Sequence, residues 1–162
     1  MNLKRVAKIL EDTNDLKVRQ IILDTAQKKG QIVYGARALN RQLPTYLRKE
    51  TKDYDILTKR PKKSAVELSK QLKRHTREEV TVVKAKHKGT YKVKIGGKTI
   101  VDYTQLRRLP KTKASWGNQL YDIKSIKRNL QRSLKQKKNE FRRLKDLDSF
   151  DRIKMSEDTF NF

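Results

Sequence analysis

The sequence contains no cysteine, which excludes disulfide bonds and thiolate metal sites and leaves the redox compartment open. It has no apolar run near the roughly 20 residues that a membrane-spanning helix needs, and its first residues lack the apolar stretch of a signal peptide. We therefore expect a soluble chain without a membrane partner, located inside the cell or packaged in a particle that was assembled there.

Three familiar kinds of site are also missing. The two histidines, His75 and His87, lie in separate segments without metal-ligand spacing, which argues against zinc. No Gly-Lys-Ser or Gly-Lys-Thr phosphate loop opens a helix, and no serine lies in the context of a nucleophile elbow. The run from Gly96 to Thr99 lacks the upstream glycine of a phosphate loop, so Gly96 and Gly97 are better interpreted as a two-residue hairpin turn.

Acidic residues are scarce beside basic ones. The 162 residues include 42 Lys and Arg against 18 Asp and Glu, for a formal net charge of +24. With 35% hydrophobic and 37% charged residues, we expect one domain with a small core, an ionic surface and room for a helical extension. So large an excess favours a polyanionic partner, above all nucleic acid, because a partner relieves the self-repulsion. A solvated basic surface without a dedicated ligand is the alternative.

The stretch from Ile32 to Ile56 is the most informative one. It predicts a strand at 32–34, a turn at Gly35, a helix at 37–43 and a strand at 53–58. Asp53 and Asp55 are two apart, so their side chains project from one face of that strand. Two adjacent carboxylates repel each other, and a cation such as magnesium relieves the repulsion. Acids that protect an edge strand from pairing are the alternative.

Other elements frame this stretch. Two N-terminal helices, the second capped by Asn14 and Asp15, are expected to cover one face of a small mixed sheet. The serine and glutamate of Ser-Ala-Val-Glu at 64–67 are typical of a capping box at the start of a helix. Strands follow at 80–83, 91–95 and 99–103, and the last holds Asp102. An aspartate inside such a strand needs a metal or a lysine as partner.

The C-terminal part is predicted to be a polar connection at 110–117, then a basic amphipathic helical extension. Trp116 in the connection either stacks on a base or anchors a packing contact. Basic residues of the extension could follow a phosphate backbone or dock an acidic partner. The nucleic-acid candidates are Lys124, Lys127, Arg128, Arg132, Arg142 and Arg143. The predicted units are therefore 1–110, 111–155 and an acidic tail at 156–162 that is either disordered or held by a partner.

Three motifs together resemble the nucleotidyltransferase superfamily: Tyr34-Gly35-Ala36, Asp53-Tyr54-Asp55, and the later Asp102. The sequence around the first two motifs is most similar to the catalytic core of poly(A)-polymerase-like proteins of large DNA viruses. The resemblance implies an α+β fold with a small mixed sheet of nucleotidyltransferase type, and a virus-encoded chain that is either intracellular or packaged in the virion.

The same resemblance implies an activity and its residues. Asp53, Asp55 and Asp102 would hold two magnesium or manganese ions, and Gly35, Ala36 and Arg37 would bind the phosphates of a nucleoside triphosphate. A nucleoside monophosphate would pass to a hydroxyl, most plausibly on nucleic acid. An Arg or Lys of the segment 142–148 would approach the pocket, as in the C-terminal helix of many small nucleotidyltransferases.

Two other readings of the resemblance remain open. Ala36 lacks the serine hydroxyl and the freedom of glycine found in the family, the connection from Gly35 to Asp53 is long, and larger members carry a further domain. These departures favour the second reading, a nucleic-acid-binding or virion-associated structural protein that retains the fold. If the chain is an enzyme, a partner chain could supply the missing domain. A small nucleotidyltransferase that modifies a protein is the third reading, and the positive charge argues mildly against it.

Overall fold

The computed structural model describes residues 2–160, apart from the side chains of 9–14 and 160. One seven-stranded mixed sheet organises it, with strand order β3-β4-β5-β2-β1-β7-β6. The strands are β1 Ile32–Tyr34, β2 Tyr54–Thr58, β3 Val80–Lys84, β4 Thr90–Ile95, β5 Lys98–Gln105, β6 Thr112–Ser115 and β7 Asn118–Tyr121. The helices are α1 Leu3–Lys28, α2 Gly35–Arg41, α3 Pro61–Lys73, α4 Ile123–Leu134 and α5 Arg143–Phe160, with short 3-10 helices at Thr45–Leu47 and Lys137–Arg142.

The main core lies on one face of the sheet, beneath α1 and α3. Alternate residues of β2 are buried, so Tyr54 and Ile56 pack into this core with Tyr103 of β5 and Leu68 of α3. Asp55, between the two buried β2 residues, projects from the other face. The expected α+β fold with a small mixed sheet is confirmed, and the predicted strands around Gly35, Asp55 and Asp102 all form.

The central pairing joins β2 to β5 in parallel, with Asp55 directly opposite Asp102. β1 pairs antiparallel with β2, which sets Tyr34 opposite Asp55. The predicted hairpin between β4 and β5 turns at Gly96 and Gly97, and both have positive φ (56° and 79°), as a two-residue turn of this kind requires. Local turn chemistry and long-range pairing therefore bring the candidate residues onto one face.

Two helix predictions are wrong. Residues 3–28 form one continuous helix, so no second helix begins at Asn14 and Asp15, and the side chain of Asn14 lies outside the described residues. The helix α3 begins at Pro61, a favoured first position, and not at a capping box on Ser64. Ser64 is instead buried inside α3, where its hydroxyl contacts the Thr58 hydroxyl at 3.1 Å and accepts a hydrogen bond from the Gln31 side chain.

The C-terminal region also differs from expectation. The segment predicted as a polar connection at 110–117 contains β6, and β7 follows it and extends the sheet by pairing in parallel with β1. The helical extension predicted after that connection is interrupted after Leu134 by the 3-10 helix. Of the two alternatives for the tail, disorder does not hold for residues 156–160, which continue α5, while residues 161 and 162 lie outside the described part of the chain.

A buried carboxylate holds α4 and α5 together. Asp146 is 2% exposed and accepts hydrogen bonds from the Ser133 hydroxyl at 2.7 Å and from Nε of Arg142 at 3.0 Å. Lys127 of α4 and Glu157 of α5 add an ion pair of 2.8 Å. These contacts fix the helix pair that follows the sheet.

We expect Asp146→Ala to lower the free energy of unfolding by about 1–3 kcal/mol, because the buried carboxylate and the hydrogen bonds it accepts from Ser133 and Arg142 are lost. Urea unfolding followed by circular dichroism measures the loss. Asp148→Ala is the matched control, since the Asp148 carboxylate is 47% exposed and its ion pairs with Lys49 and Arg152 should contribute only about 0–1 kcal/mol. Equal losses in the two variants would contradict this account of the helix pair.

Candidate active site

Three carboxylates converge on the sheet face that α1 and α3 leave uncovered. One oxygen from each of Asp53, Asp55 and Asp102 can be chosen so that all three lie within 4.8 Å of one another. Asp53 immediately precedes β2, Asp55 lies on that strand, and Asp102 is the parallel partner of Asp55 on β5. The predicted convergence of residues far apart in the sequence is therefore present in the structure.

The electrostatics of this cluster suit a cation. Burial, together with the neighbouring charges of Asp53 and Asp102, raises the pKa of Asp55 to about 7, although Lys145 and Lys92 act in the opposite direction. Burial also raises the pKa of Asp102. Its Oδ1 is buried without a hydrogen bond from any described residue, although Nζ of Lys92 lies 3.7 Å away. Clustered hard oxygens with an unmet need for positive charge fit magnesium or manganese.

A glycine is required at position 35, because the backbone there lies in direct contact with the Asp55 side chain. Its φ of +67° is a conformation that side-chain-bearing residues rarely adopt. A Cβ atom built on Gly35 would overlap Oδ2 of Asp55 and lie 3.0 Å from its Cγ. The backbone at the start of α2 therefore packs directly against the Asp55 carboxylate, and Ala36 follows Gly35 in the first turn of the helix.

Arg37 lies differently from the other predicted phosphate ligands. Its guanidinium stacks over the ring of Tyr54 at 4.2 Å from the centroid, and its Nε donates to the backbone oxygen of Asp53 at 3.2 Å. Because Tyr54 points to the opposite face of the sheet from Asp55, these contacts place Arg37 on that opposite face, at the start of β2. Arg37 thus braces the strand that carries the acids.

A chain of hydroxyl groups borders the acids on the same face. Tyr34 donates to Oγ1 of Thr104 at 2.9 Å, and the Thr104 hydroxyl lies 2.9 Å from that of Thr90. Burial raises the pKa of Tyr34 to about 12, so its hydroxyl stays protonated and remains a donor. These contacts hold β1, β4 and β5 in place beside the carboxylates.

Sequence reasoning missed Lys92, although it anticipated a lysine or a metal beside Asp102. Counting back from the Gly96-Gly97 turn places Lys92 opposite Val101, on the core side. A bulge between Val93 and Lys94 shifts the register by one residue, so Lys92 faces Asp102 instead. The bulge has no clear sequence signal, and the pairing follows only from the structure.

The predicted nucleic-acid residues are not brought together as a set. Lys127 is paired with Glu157, Arg142 with Asp146, and Arg143 donates to the Leu134 carbonyl. Lys124 and Arg132 are exposed on α4, and Arg128 donates to the Ser125 hydroxyl. Trp116 is 88% exposed at the β6–β7 turn and buries nothing, so its role as a stacking residue stays a prediction. No helix within residues 2–160 has the length and apolar character to cross a bilayer.

This fold and its acidic site define a domain of the nucleotidyltransferase type. The family model of the poly(A) polymerase catalytic subunit matches residues 20–112, more than half of the sequence. The chain therefore belongs to the poly(A) polymerase catalytic subunit family. The matched region ends at the first residue of β6 and contains α2, all three acids and Gly35.

Solved structures agree with this fold. The crystal structure of the Megavirus polyadenylate synthase is similar with a TM-score of 0.78 and 20% identity, over 94% of this chain and 36% of that one. JHP933 from Helicobacter pylori is a weaker likeness, with a TM-score of 0.48 and 15% identity over 80% of this chain and 59% of that one. A search of curated proteins finds no significant match. The chain thus spans about a third of the Megavirus protein.

We expect Gly35→Ala to disrupt the site, because the new methyl group displaces the Asp55 carboxylate in addition to straining the backbone. Gly30→Ala is the matched control: Gly30 also has a positive φ, +60°, but open space around it, so it should cost only roughly 1–2 kcal/mol of strain. Thermal melts with and without magnesium or manganese test this. Gly30→Ala should keep any metal-dependent rise in Tm, and the expectation fails if Gly35→Ala keeps it too.

The acids should make metal-free protein less stable as the pH rises. Folded Asp55 has a pKa near 7 and unfolded Asp one near 3.8, so between these values the folded state binds more protons and stability falls with increasing pH. In EDTA at pH 7, we expect Asp55→Asn to be more stable than the parent by roughly 1–3 kcal/mol, which corresponds to a Tm higher by several degrees. The gap should close towards pH 4. Asp15→Asn, on exposed helix surface, should show no such gap; a gap that is constant with pH would refute the assignment.

Proposed function

We propose that this protein transfers a nucleoside monophosphate from a nucleoside triphosphate to a hydroxyl group, on a nucleic acid, with two divalent cations. The observation that carries the proposal is the convergence of Asp53, Asp55 and Asp102 beside the backbone of Gly35. Membership of the poly(A) polymerase catalytic subunit family supports it, and so does the similarity to a viral polyadenylate synthase. In this proposal the acceptor is RNA and the chain is virus-encoded.

The three carboxylates would hold magnesium or manganese, which when bound lowers the pKa of an attacking hydroxyl and offsets the charge of a triphosphate. By resemblance to the family, Asp102 would help to hold the ion that lowers the pKa of the attacking hydroxyl. The chain's own work is positioning: β2 and β5 hold the acids in register, and Gly35 allows the backbone to approach Asp55. Phosphoryl transfer needs mainly such placement and charge neutralisation.

Phosphate binding is assigned to the backbone amides of Gly35 and Ala36. Arg37 receives a positioning role, since its contacts are with Tyr54 and the Asp53 backbone. The charge of Lys145 on α5 lowers the pKa of Asp55, and the charge of Arg142, just before α5, lowers the pKa of Tyr34. Both effects place positive charge near the acids and support a contribution of the C-terminal helix to triphosphate binding. The proposal leaves room for a partner chain that adds contacts to the base and the primer, and for packaging in a virion.

A nucleic-acid-binding protein without catalysis is the second candidate, and the net charge of +24 favours it. The two candidates differ in what stabilises the fold. A rise in Tm that requires both a nucleoside triphosphate and a divalent metal indicates the enzyme. A rise with any polyanion, lost steeply as salt increases, indicates the binder alone.

We expect Asp53→Ala to abolish extension of an RNA primer while leaving the fold intact, because Asp53 is only partly buried and lies just before β2. Each nucleoside triphosphate is supplied in turn with magnesium or manganese, and products are resolved on a denaturing gel. Asp15→Ala removes an acid from the exposed surface of α1 and should leave extension unchanged. If the parent protein extends no primer under any of these conditions, the transferase proposal falls.

A further inference from the structure

A second basic feature lies away from the carboxylates. A cavity of about 780 Å³ opens between α3 and the strands β4 and β5. Its floor includes Val66, Gly89 and Tyr91. Its basic lining residues come from the start and one side of α3, from the β3–β4 connection and from the end of β5: Arg60, Lys62, Lys63, Lys70, Lys84, Lys88 and Arg107.

This cavity is on the opposite face of the sheet from the acids. Tyr91 pairs across the strands with Tyr103, which is fully buried on the α3 side. Lys92, the next residue, points the other way to Asp102. The cavity also lies near the carboxyl ends of β2 and β5, beyond Thr58 and Gln105, whereas Asp53 precedes β2. Its charges are therefore not those that serve the metal site.

Little within the fold neutralises these charges. Glu67 is the one acidic residue among the residues that line the cavity, and it already pairs with Lys29 and, at 3.9 Å, with Lys63. Among the side chains that the structure describes, none forms an ion pair with Arg60, Lys62, Lys70, Lys84, Lys88 or Arg107. Like charges gathered around a recess focus a positive potential within it, which attracts an anionic chain.

We propose that this cavity binds single-stranded nucleic acid, with phosphates along its basic rim and unpaired nucleotides over Tyr91 and the aliphatic stems of the lysines. Grooves of this type combine cations that follow the backbone with an aromatic ring that accepts any base. The volume lies in the range of about 300–1,000 Å³ that holds single small ligands, so it admits individual nucleotides and not a duplex. The claim that this cavity holds the acceptor strand rests on the proposed function, whereas the claim that it binds single-stranded nucleic acid does not.

The test measures binding alone, in EDTA and without triphosphate, by fluorescence anisotropy of a labelled single-stranded RNA of roughly 16 nucleotides. The triple variant Lys70→Gln, Lys84→Gln, Lys88→Gln removes cations from both sides of the cavity. The matched control, Lys4→Gln, Lys8→Gln, Lys17→Gln, removes equal charge from exposed positions on α1. Circular dichroism confirms that both variants fold.

The cavity variant should bind about tenfold or more weakly at low salt, and its plot of log K against log salt should be less steep by about 2, the value for three lost phosphate contacts. The α1 variant should stay close to the parent. Equal weakening in both variants, or none in the cavity variant, overturns the proposal. Displacement of the RNA by polyglutamate or by duplex as readily as by unlabelled single strand also overturns it. Because the assay contains neither metal nor triphosphate and the cavity lies on the opposite face of the sheet from the acids, a failure here is separate from a failure of catalysis.

Discussion

Three carboxylates placed side by side on a sheet repel one another, and the rest of the structure has to hold them there. Parallel pairing of β2 with β5 sets Asp55 opposite Asp102, and burial of Tyr54, Ile56 and Tyr103 on the other face secures that pairing. The repulsion is only partly offset, by Lys92 across the bulge and by the more distant charge of Lys145. A site that remains electrostatically unsatisfied without a cation is already organised to bind one.

Those parts of the fold that depend on local pattern could be predicted from the sequence. Alternation placed Asp53 and Asp55 on one face, and paired glycines marked the β4–β5 turn. Asp102 stood out because an acid in a β-branched and aromatic strand is costly to bury. These inferences hold because side-chain direction along a strand and the φ demands of a turn are set within a few residues.

The remaining parts could not be predicted, because they depend on contacts between distant segments. β7 contains polar residues and has no strong strand signal, yet it joins the sheet beside β1, where the Asn118 side chain donates to the Leu23 carbonyl. Ser64 has the sequence context of a helix cap, but the helix begins earlier, at Pro61, and the Ser64 hydroxyl lies inside it against the distant hydroxyl of Thr58. The basic cavity likewise joins residues from three separate segments, and no single run of lysines reveals it.

The register between β2 and β5 also acts as a check on assembly. A slip of one residue would turn Asp102 towards the hydrophobic core and Tyr103 towards water, since facing alternates along a strand. Such a slip would separate the three carboxylates and expose core side chains at the same time. The free energy gained by burying Tyr103 therefore also favours the register that brings the acids together.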